Sequence, residues 1–122
     1  MKVTVKITKS FKTAAKPLLK KYQSLSKDLL NLEKTLVSTP RLGIPLGKEA
    51  YKIRLKVTSK GKGKSGGARV ISLVETTLIG YAEAISDEEI IVNLLTIFDK
   101  GDVDNISDKE LKDLIQNFKT DS

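Results

Sequence analysis

The clearest pattern in the chain is the alternation of apolar and polar side chains over residues 51–58. The apolar positions are Tyr51, Ile53, Leu55 and Val57, and the polar ones are Lys52, Arg54, Lys56 and Thr58. This two-residue period predicts a β-strand with one buried and one solvent-facing side. A loop rich in Lys and Gly follows, and then a second apolar run over residues 68–74. Together they predict a β-hairpin.

Two further strands are predicted by the same kind of pattern. Residues 2–8 alternate between apolar and polar side chains, whereas residues 90–98 are nearly all apolar. A continuous apolar run suits a central strand that is covered on both faces. Residues 41–49 contain two glycines and a proline, and we expect a loop there.

Three helices are predicted from apolar residues at helical spacing, over residues 11–22, 25–36 and 108–118. Pro17 predicts a kink or a later start in the first helix, because proline removes an interior hydrogen-bond donor. Ser107, followed three residues later by Glu110, predicts a capping box at the start of the last helix.

The predicted order β-α-α-β-β-β-α indicates an α+β fold. We expect an antiparallel β-sheet with two N-terminal helices packed on one face and a short C-terminal helix. The 122 residues suit one domain spanning residues 1–122, without an internal repeat.

Missing residue types exclude several kinds of chemistry. The chain has no Cys and no His, which excludes disulfides, thiol nucleophiles, imidazole-based triads and most zinc sites. No apolar run approaches membrane-spanning length, and the N-terminus alternates where a signal peptide would carry an apolar block. We therefore expect a soluble cytoplasmic protein.

Charge is distributed unevenly along the chain. Residues 1–69 contain 18 basic and three acidic residues, whereas residues 70–122 contain four basic and 12 acidic ones. Residues 52–69, here called the basic hairpin, carry seven positive charges and no negative charge. These are Lys52, Arg54, Lys56, Lys60, Lys62, Lys64 and Arg69. Such self-repulsion favours an anionic partner, most simply a nucleic-acid backbone; the alternative is an unevenly charged, solvated surface.

Lys52, Arg54 and Arg69 are the candidates for chemistry. On adjacent antiparallel strands their side chains can lie on one face, within reach of one phosphate. A lysine in such a cluster can act as an acid or a base, while Arg69 would stabilise negative charge developing on phosphorus. The alternative is that all three are ordinary solvated strand residues.

The loop GKGKSGG, residues 61–67, is not a nucleotide-binding P-loop. That motif requires Gly where the chain has Thr58, and a helix where a strand is predicted. A flexible basic loop remains, either contacting phosphates through Lys62 and Lys64 or merely connecting two strands. Lys100 either joins this site, if the last strand ends beside the loop, or is a turn residue.

Two stretches of the chain carry a resemblance to a known family. They are YKIRLKVTSKGKGKSGGARVISL, beginning at Tyr51, and IIVNLLTIFDKGDVDNISDKEL, beginning at Ile90. Both are similar to the RelE/ParE superfamily of toxins from bacterial type II toxin–antitoxin modules, and GKGKSGGAR resembles its HigB-like members. The resemblance is specific over residues 46–109. It implies a small α+β fold like that of microbial ribonucleases.

The resemblance also implies a set of working residues. RelE-type enzymes use two basic residues on one strand, an arginine on the next strand, and an arginine and a tyrosine after the last strand. Lys52, Arg54 and Arg69 match the first three, with Arg54 where the family has a lysine. After the last strand, Lys100 is the nearest basic residue and Ile106 stands near the position of the tyrosine.

We therefore expect a ribosome-dependent mRNA endonuclease that inhibits translation without a metal or cofactor. The expected catalytic residues are Lys52, Arg54, Lys64, Arg69 and Lys100, and the expected RNA-binding residues are Lys56, Lys60 and Lys62. The expected partners are a cognate antitoxin and a ribosome with mRNA in its A site, with no membrane involved. The alternative is a non-catalytic member: a ParE-like gyrase inhibitor, or a catalytically impaired homologue that binds a ribosome or an antitoxin.

Overall fold

Three helices and five strands make up the described part of the chain. The computed structural model describes residues 2–60, 67–78, 88–100 and 105–121. The strands are β1 (Lys2–Ile7), β2 (Ile44–Gly47), β3 (Ala50–Leu55), β4 (Ala68–Leu78) and β5 (Glu88–Asp99). The helices are α1 (Lys9–Lys21), α2 (Leu25–Ser38) and α3 (Asp108–Asp121), and a short 3-10 turn (Thr58–Lys60) follows β3. The predicted α+β fold is confirmed.

The five strands form one sheet in the order β1-β5-β4-β3-β2. The pairs β2–β3, β3–β4 and β4–β5 are antiparallel, whereas β1 pairs parallel with β5. The sheet is thus mixed, where an antiparallel one was expected. The chain between β1 and β5 far exceeds the dozen or so residues that a parallel crossover requires.

Both faces of the sheet are covered by helices. Helices α1 and α2 pack on one face through a core cluster that includes Phe11, Ala15, Leu25, Leu32 and Leu36. Helix α3 packs on the opposite face, where Leu111 and Ile115 meet Ala50, Ile71, Leu73 and Leu95. Strand β5 contributes to both clusters, which confirms the prediction of a central strand covered on both sides.

A β-bulge in β5 shifts which side chains reach each face. Ile71 pairs with Thr96 but Ser72 pairs with Leu94, so Leu95 is the extra residue. Two hydroxyl groups just beyond the end of β1 bind this segment. Thr8 Oγ1 donates to the Leu94 carbonyl at 2.8 Å, and Ser10 Oγ donates to the Leu95 carbonyl at 2.6 Å.

Strand β2 occupies part of the segment where a loop was expected. It pairs with β3 through a two-residue connection, Lys48 and Glu49, both with positive φ. Asn and Gly usually fill such turns, so the sequence carried no hairpin signal here. Gly43 makes the approach to β3 possible: its φ is +108°, and an added Cβ would lie 2.4 Å from the Lys52 carbonyl oxygen.

The helix ends follow local signals in the sequence. The predicted capping box is confirmed: the Glu110 amide donates to Ser107 Oγ at 3.1 Å, and the Ser107 amide donates to Glu110 Oε1 at 3.3 Å. Pro17 lies inside α1, which is one continuous helix over Lys9–Lys21. None of the helices in the described ranges is long and apolar enough to cross a bilayer.

We expect the two leucines Leu36 and Leu30 of α2 to respond very differently to truncation. Leu36 is fully buried in the core, whereas Leu30 is 53% exposed. Leu36→Ala should lower the free energy of unfolding by about 2–5 kcal/mol, because it leaves a cavity. The matched control Leu30→Ala should change it by less than about 1 kcal/mol. Urea unfolding followed by circular dichroism measures both, and equal effects would contradict the packing of α2 described here.

Candidate nucleic-acid interface

The pairing of β3 with β4 brings the three candidate catalytic residues onto one face of the sheet. Arg54 and Arg69 are direct cross-strand partners, and Lys52 lies two residues from Arg54 on the same strand. Ala50 and Ile71, which share this face by alternation, belong to the core cluster under α3. The three cations therefore lie on the α3 side of the sheet.

The three residues differ in their exposure to solvent. Arg54 is exposed and Lys52 is half-buried, whereas Arg69 is only 4% exposed. Lys52 Nζ donates to Asn105 Oδ1 at 3.2 Å, and Arg69 Nη1 donates to the Ala68 carbonyl at 3.2 Å. Arg54 and Lys52 can thus meet a ligand directly, while Arg69 supplies a fixed positive charge beneath them.

A buried carboxylate in α2 holds the segment that leads into the lysine-rich loop. Asp28 accepts hydrogen bonds from the Thr58 amide at 3.0 Å and from the Thr58 hydroxyl at 2.7 Å. The Ser24 hydroxyl donates to the same carboxylate and also accepts a hydrogen bond from the Ser59 amide. This arrangement fixes the end of β3 against the N-terminus of α2.

Burial alone raises the pKa of Asp28, but the hydrogen bonds from Thr58 and Ser24, together with the positive charge of Lys56, outweigh it. The net effect is a pKa below the usual 3.8. Exposed Lys56, an expected RNA-binding residue, is therefore close enough to Asp28 to act on it electrostatically.

A second buried carboxylate, Asp99 at the end of β5, joins the loop to α1. Lys60 Nζ lies 2.7 Å from Asp99 Oδ1, and the Tyr22 hydroxyl donates to Asp99 Oδ2 at 2.5 Å. Lys21 Nζ approaches the same carboxylate at 3.7 Å, and the ammonium groups of Lys60 and Lys21 lie 5.2 and 5.3 Å from the centre of the Tyr22 ring. We call Asp99, Tyr22, Lys60 and Lys21 the Asp99 cluster.

The Asp99 cluster constrains one of the expected RNA-binding residues. The side chain of Lys60 is only 12% exposed, and its ammonium group also donates to the Gly67 carbonyl at 3.3 Å. Binding of a phosphate by Lys60 therefore requires it to leave Asp99. No local sequence pattern predicts this cluster, because Tyr22 and Asp99 are 77 residues apart along the chain.

The far end of the loop is fixed at Gly67. A Cβ added there would lie 2.0 Å from the Leu55 carbonyl oxygen, so only glycine fits. The Lys100 amide donates to the Gly67 carbonyl at 3.1 Å, which places the backbone of Lys100 beside the end of the loop. Lys62 and Lys64 lie outside the described residues.

A cleft of about 350 Å³ lies next to Lys52, between β5 and α3. Its lining residues are Thr96, Phe98, Asn105, Ile106, Glu110, Asp113, Leu114 and Asn117. None of these side chains is basic or phenolic; Phe98 lies near the end of β5, and Ile106 lies after β5 and before α3 in the chain. The basic residues thus border the cleft through the contact between Lys52 and Asn105 and do not line it. Within the described residues no group of three or more acidic side chains is placed to hold a metal ion.

Comparisons with models of protein families, with curated proteins and with solved structures yield no match for this chain. Its relation to the RelE/ParE superfamily therefore stays a prediction.

We expect the hydroxyl of Tyr22 to stabilise the fold measurably. Tyr22→Phe removes a hydrogen bond to a buried carboxylate and should lower the free energy of unfolding by about 1.5–3 kcal/mol. The matched control is Tyr51→Phe, whose hydroxyl donates to the exposed Glu49 at 3.3 Å, and which should cost less than about 1 kcal/mol. Denaturant unfolding compares the two, and a Tyr22 effect no larger than that of Tyr51 would contradict the Asp99 cluster.

Asp28 predicts a specific pH dependence of stability. Because its pKa is lower in the folded state than in the unfolded chain, its ionised form stabilises the fold above the unfolded value near 3.8. That contribution is lost as the pH falls through the lower folded-state pKa. The stability difference between the unmodified chain and Asp28→Asn should thus be constant from about pH 5 to 7 and shrink below about pH 4.

Urea unfolding at a series of pH values measures this difference. The control is Glu33→Gln, which removes an exposed carboxyl from the same helix and should show a smaller change with pH. A difference between the unmodified chain and Asp28→Asn that stays constant down to about pH 2.5 would contradict the assignment.

Proposed function

We propose that this chain is a cytoplasmic toxin of the RelE/HigB kind that cleaves mRNA in the ribosomal A site. The observation that carries the proposal is the pairing of Arg54 with Arg69, with Lys52 beside them on the same face of the sheet. Three cations so close together suit a phosphodiester, whose negative charge increases in the transition state. The resemblance of residues 46–109 to RelE and HigB toxins assigns the same three positions to the reaction.

In the proposed reaction, the 2′-oxygen of a ribose attacks the adjacent phosphorus and the bond from phosphorus to the 5′-oxygen breaks. The products are a 2′,3′-cyclic phosphate and a 5′-hydroxyl end. Arg54 binds the non-bridging oxygens, and the buried guanidinium of Arg69 stabilises their negative charge from beneath. Lys52, as an ammonium ion, gives a proton to the leaving 5′-oxygen, and water takes the proton that the 2′-hydroxyl loses; Lys64 is the second candidate for the proton donor.

The chain lacks a strong general base, so in this proposal the ribosome contributes by orienting the mRNA for attack. Guanidinium groups are poor bases, and the chain has no His to accept the proton of the 2′-hydroxyl. Cleavage therefore depends on an mRNA that is already held with its 2′-oxygen in line for attack. Free RNA is a poor substrate for this chain, and an antitoxin keeps the toxin away from ribosomes.

A second candidate function is binding without cleavage. Of the arginine and tyrosine that the family resemblance implies after the last strand, Lys100 is the nearest basic residue and Ile106 stands near the position of the tyrosine. Neither Ile106 nor the cleft residue Phe98 can exchange a proton. On this alternative, the same basic face binds a ribosome or an antitoxin, or the chain inhibits gyrase as ParE does.

We expect the double variant Lys52→Gln, Arg54→Gln to lose cleavage activity. Both side chains reach solvent, so their removal should leave the fold intact, whereas Arg69 is too buried for such a test. After induction in cells, mapping of transcript 5′ ends should show cuts at codon positions in translated messages. The double variant should cut at least about 100-fold less.

The control is Lys34→Gln, Lys112→Gln, which removes the same charge from exposed helix positions and should cut like the unmodified chain. Equal cutting by both double variants would rule out the proposed site. Growth arrest with intact messages would favour ribosome binding, and arrest with DNA damage would favour gyrase.

A further inference from the structure

Helix α1 carries a row of lysines that the proposed cleavage reaction does not use. They are Lys9, Lys12, Lys16 and Lys20, and all four are exposed. At 3.6 residues per turn they fall within about 80° of arc around the helix. The buried residues of the helix, Phe11 and Ala15, are centred about 120° from the middle of this arc. We call these four residues the lysine row.

The lysine row does not serve the stability of the helix. Like charges three and four residues apart repel each other along a helix. Lys9 lies in the first turn, where the helix dipole disfavours a positive charge, and no acidic residue occupies that turn. No acidic residue precedes Asp28 in the chain, and no ion pair joins the row to a carboxylate within the described ranges.

We infer that the lysine row binds the phosphate backbone of a structured RNA, as a second contact surface separate from the basic hairpin. Successive lysines are about 4.5–6 Å apart along the helix axis, and the whole row spans about 16 Å. Long, flexible ammonium side chains at this spacing can reach successive phosphates of one strand.

The position of the row limits the kind of RNA that can bind both surfaces. Helix α1 packs on one face of the sheet, whereas Lys52, Arg54 and Arg69 lie on the other. A ligand that contacts both has to reach around the domain, which a short single strand cannot do and ribosomal RNA can. The inference rests on the proposed function: the structured RNA would be ribosomal RNA, which would hold the chain at the lysine row while mRNA occupies the basic hairpin.

The surroundings of the row favour RNA over a membrane or a protein partner. A helix that binds a bilayer inserts its apolar side, but the apolar side of α1 is buried in the core of this protein. Protein interfaces are built around aromatic and apolar anchors and are depleted in lysine. In α1 the exposed large apolar side chain is Leu19, at 41% exposure.

The test is the salt dependence of binding to an RNA hairpin with a 16-base-pair stem and a fluorescent 5′ label. Fluorescence anisotropy at 50–300 mM KCl gives the slope of log K against log salt for the full chain. The variant with Gln at positions 9, 12, 16 and 20 should lower the magnitude of this slope by about 3, because each phosphate contact contributes about 0.7–0.9. Glutamine at exposed helix positions keeps the helix propensity of lysine, so the fold is preserved.

The control variant changes Lys27, Lys34, Lys109 and Lys112 to Gln. These are four exposed helical lysines outside the row, so the control has the same net charge as the row variant. Its slope should fall by less than about 1. Equal slopes for the two variants would overturn the inference, because they would show that the salt dependence follows the net charge of the protein and not the position of the lysines. Loss of binding to phosphatidylserine vesicles by the row variant, with RNA binding unchanged, would overturn it in favour of a membrane.

The same assay separates this inference from the cleavage proposal. The double variant Lys52→Gln, Arg54→Gln should keep the contribution of the lysine row to the slope, whether or not transcripts are cut in cells. If cleavage is absent and the row still accounts for a slope difference of about 3, the endonuclease proposal fails and the RNA-binding surface stands. If transcripts are cut and the row variant has the same slope as the unmodified chain, the lysine-row inference fails and the endonuclease proposal stands.

Discussion

The position of the basic hairpin depends on the contacts that the buried carboxylate of Asp99 makes with Lys60 and Tyr22. It is 4% exposed, and it receives an ammonium group from Lys60 and a hydroxyl group from Tyr22. A buried carboxylate is tolerated only when it is paired and hydrogen-bonded. Removing either Lys60 or Tyr22 from Asp99 would therefore leave a buried charge without full compensation, which is unfavourable. The end of α1, the end of β5 and the start of the lysine-rich loop are therefore fixed at one point.

Strand β5 determines where the basic residues emerge. It lies between β1 and β4 and supplies apolar side chains to the cores on both faces. The bulge at Leu95 turns that residue towards α3, so that α3 packs over the middle of the sheet. The cross-strand pair Arg54 and Arg69 lies where β3 ends and β4 begins, away from the middle of the sheet. Arg69 pairs with Phe98 on β5 in the strand register and is 4% exposed.

Local features of the fold could be predicted from the sequence, and long-range ones could not. The capping box of Ser107 and Glu110 needs only four consecutive residues, and the alternation over residues 51–57 directly reports a half-buried strand. The turn at Lys48 and Glu49 was missed because neither residue is typical of positive φ. The grouping of Lys52, Arg54 and Arg69 on one face follows from strand alternation once the hairpin is assumed. The burial of Arg69 and the pairing of Lys60 with Asp99 depend on how distant elements pack, for which a single sequence carries no signal.

The placement of the carboxylates gives the surface charge a physical meaning. Asp28 and Asp99 are buried and bind Thr58 and Lys60, at the point where β3 leads into the loop. The cations farther out, such as Arg54 on the sheet and Lys12 and Lys16 on α1, remain exposed. Their mutual repulsion destabilises the folded chain at low ionic strength and is relieved by salt or by a polyanion. A ligand that binds only the folded form stabilises it in proportion to the logarithm of its concentration. A polyanion that bound this charge would therefore also stabilise the fold, because the charge that weakens the isolated protein is the charge that such a partner would use.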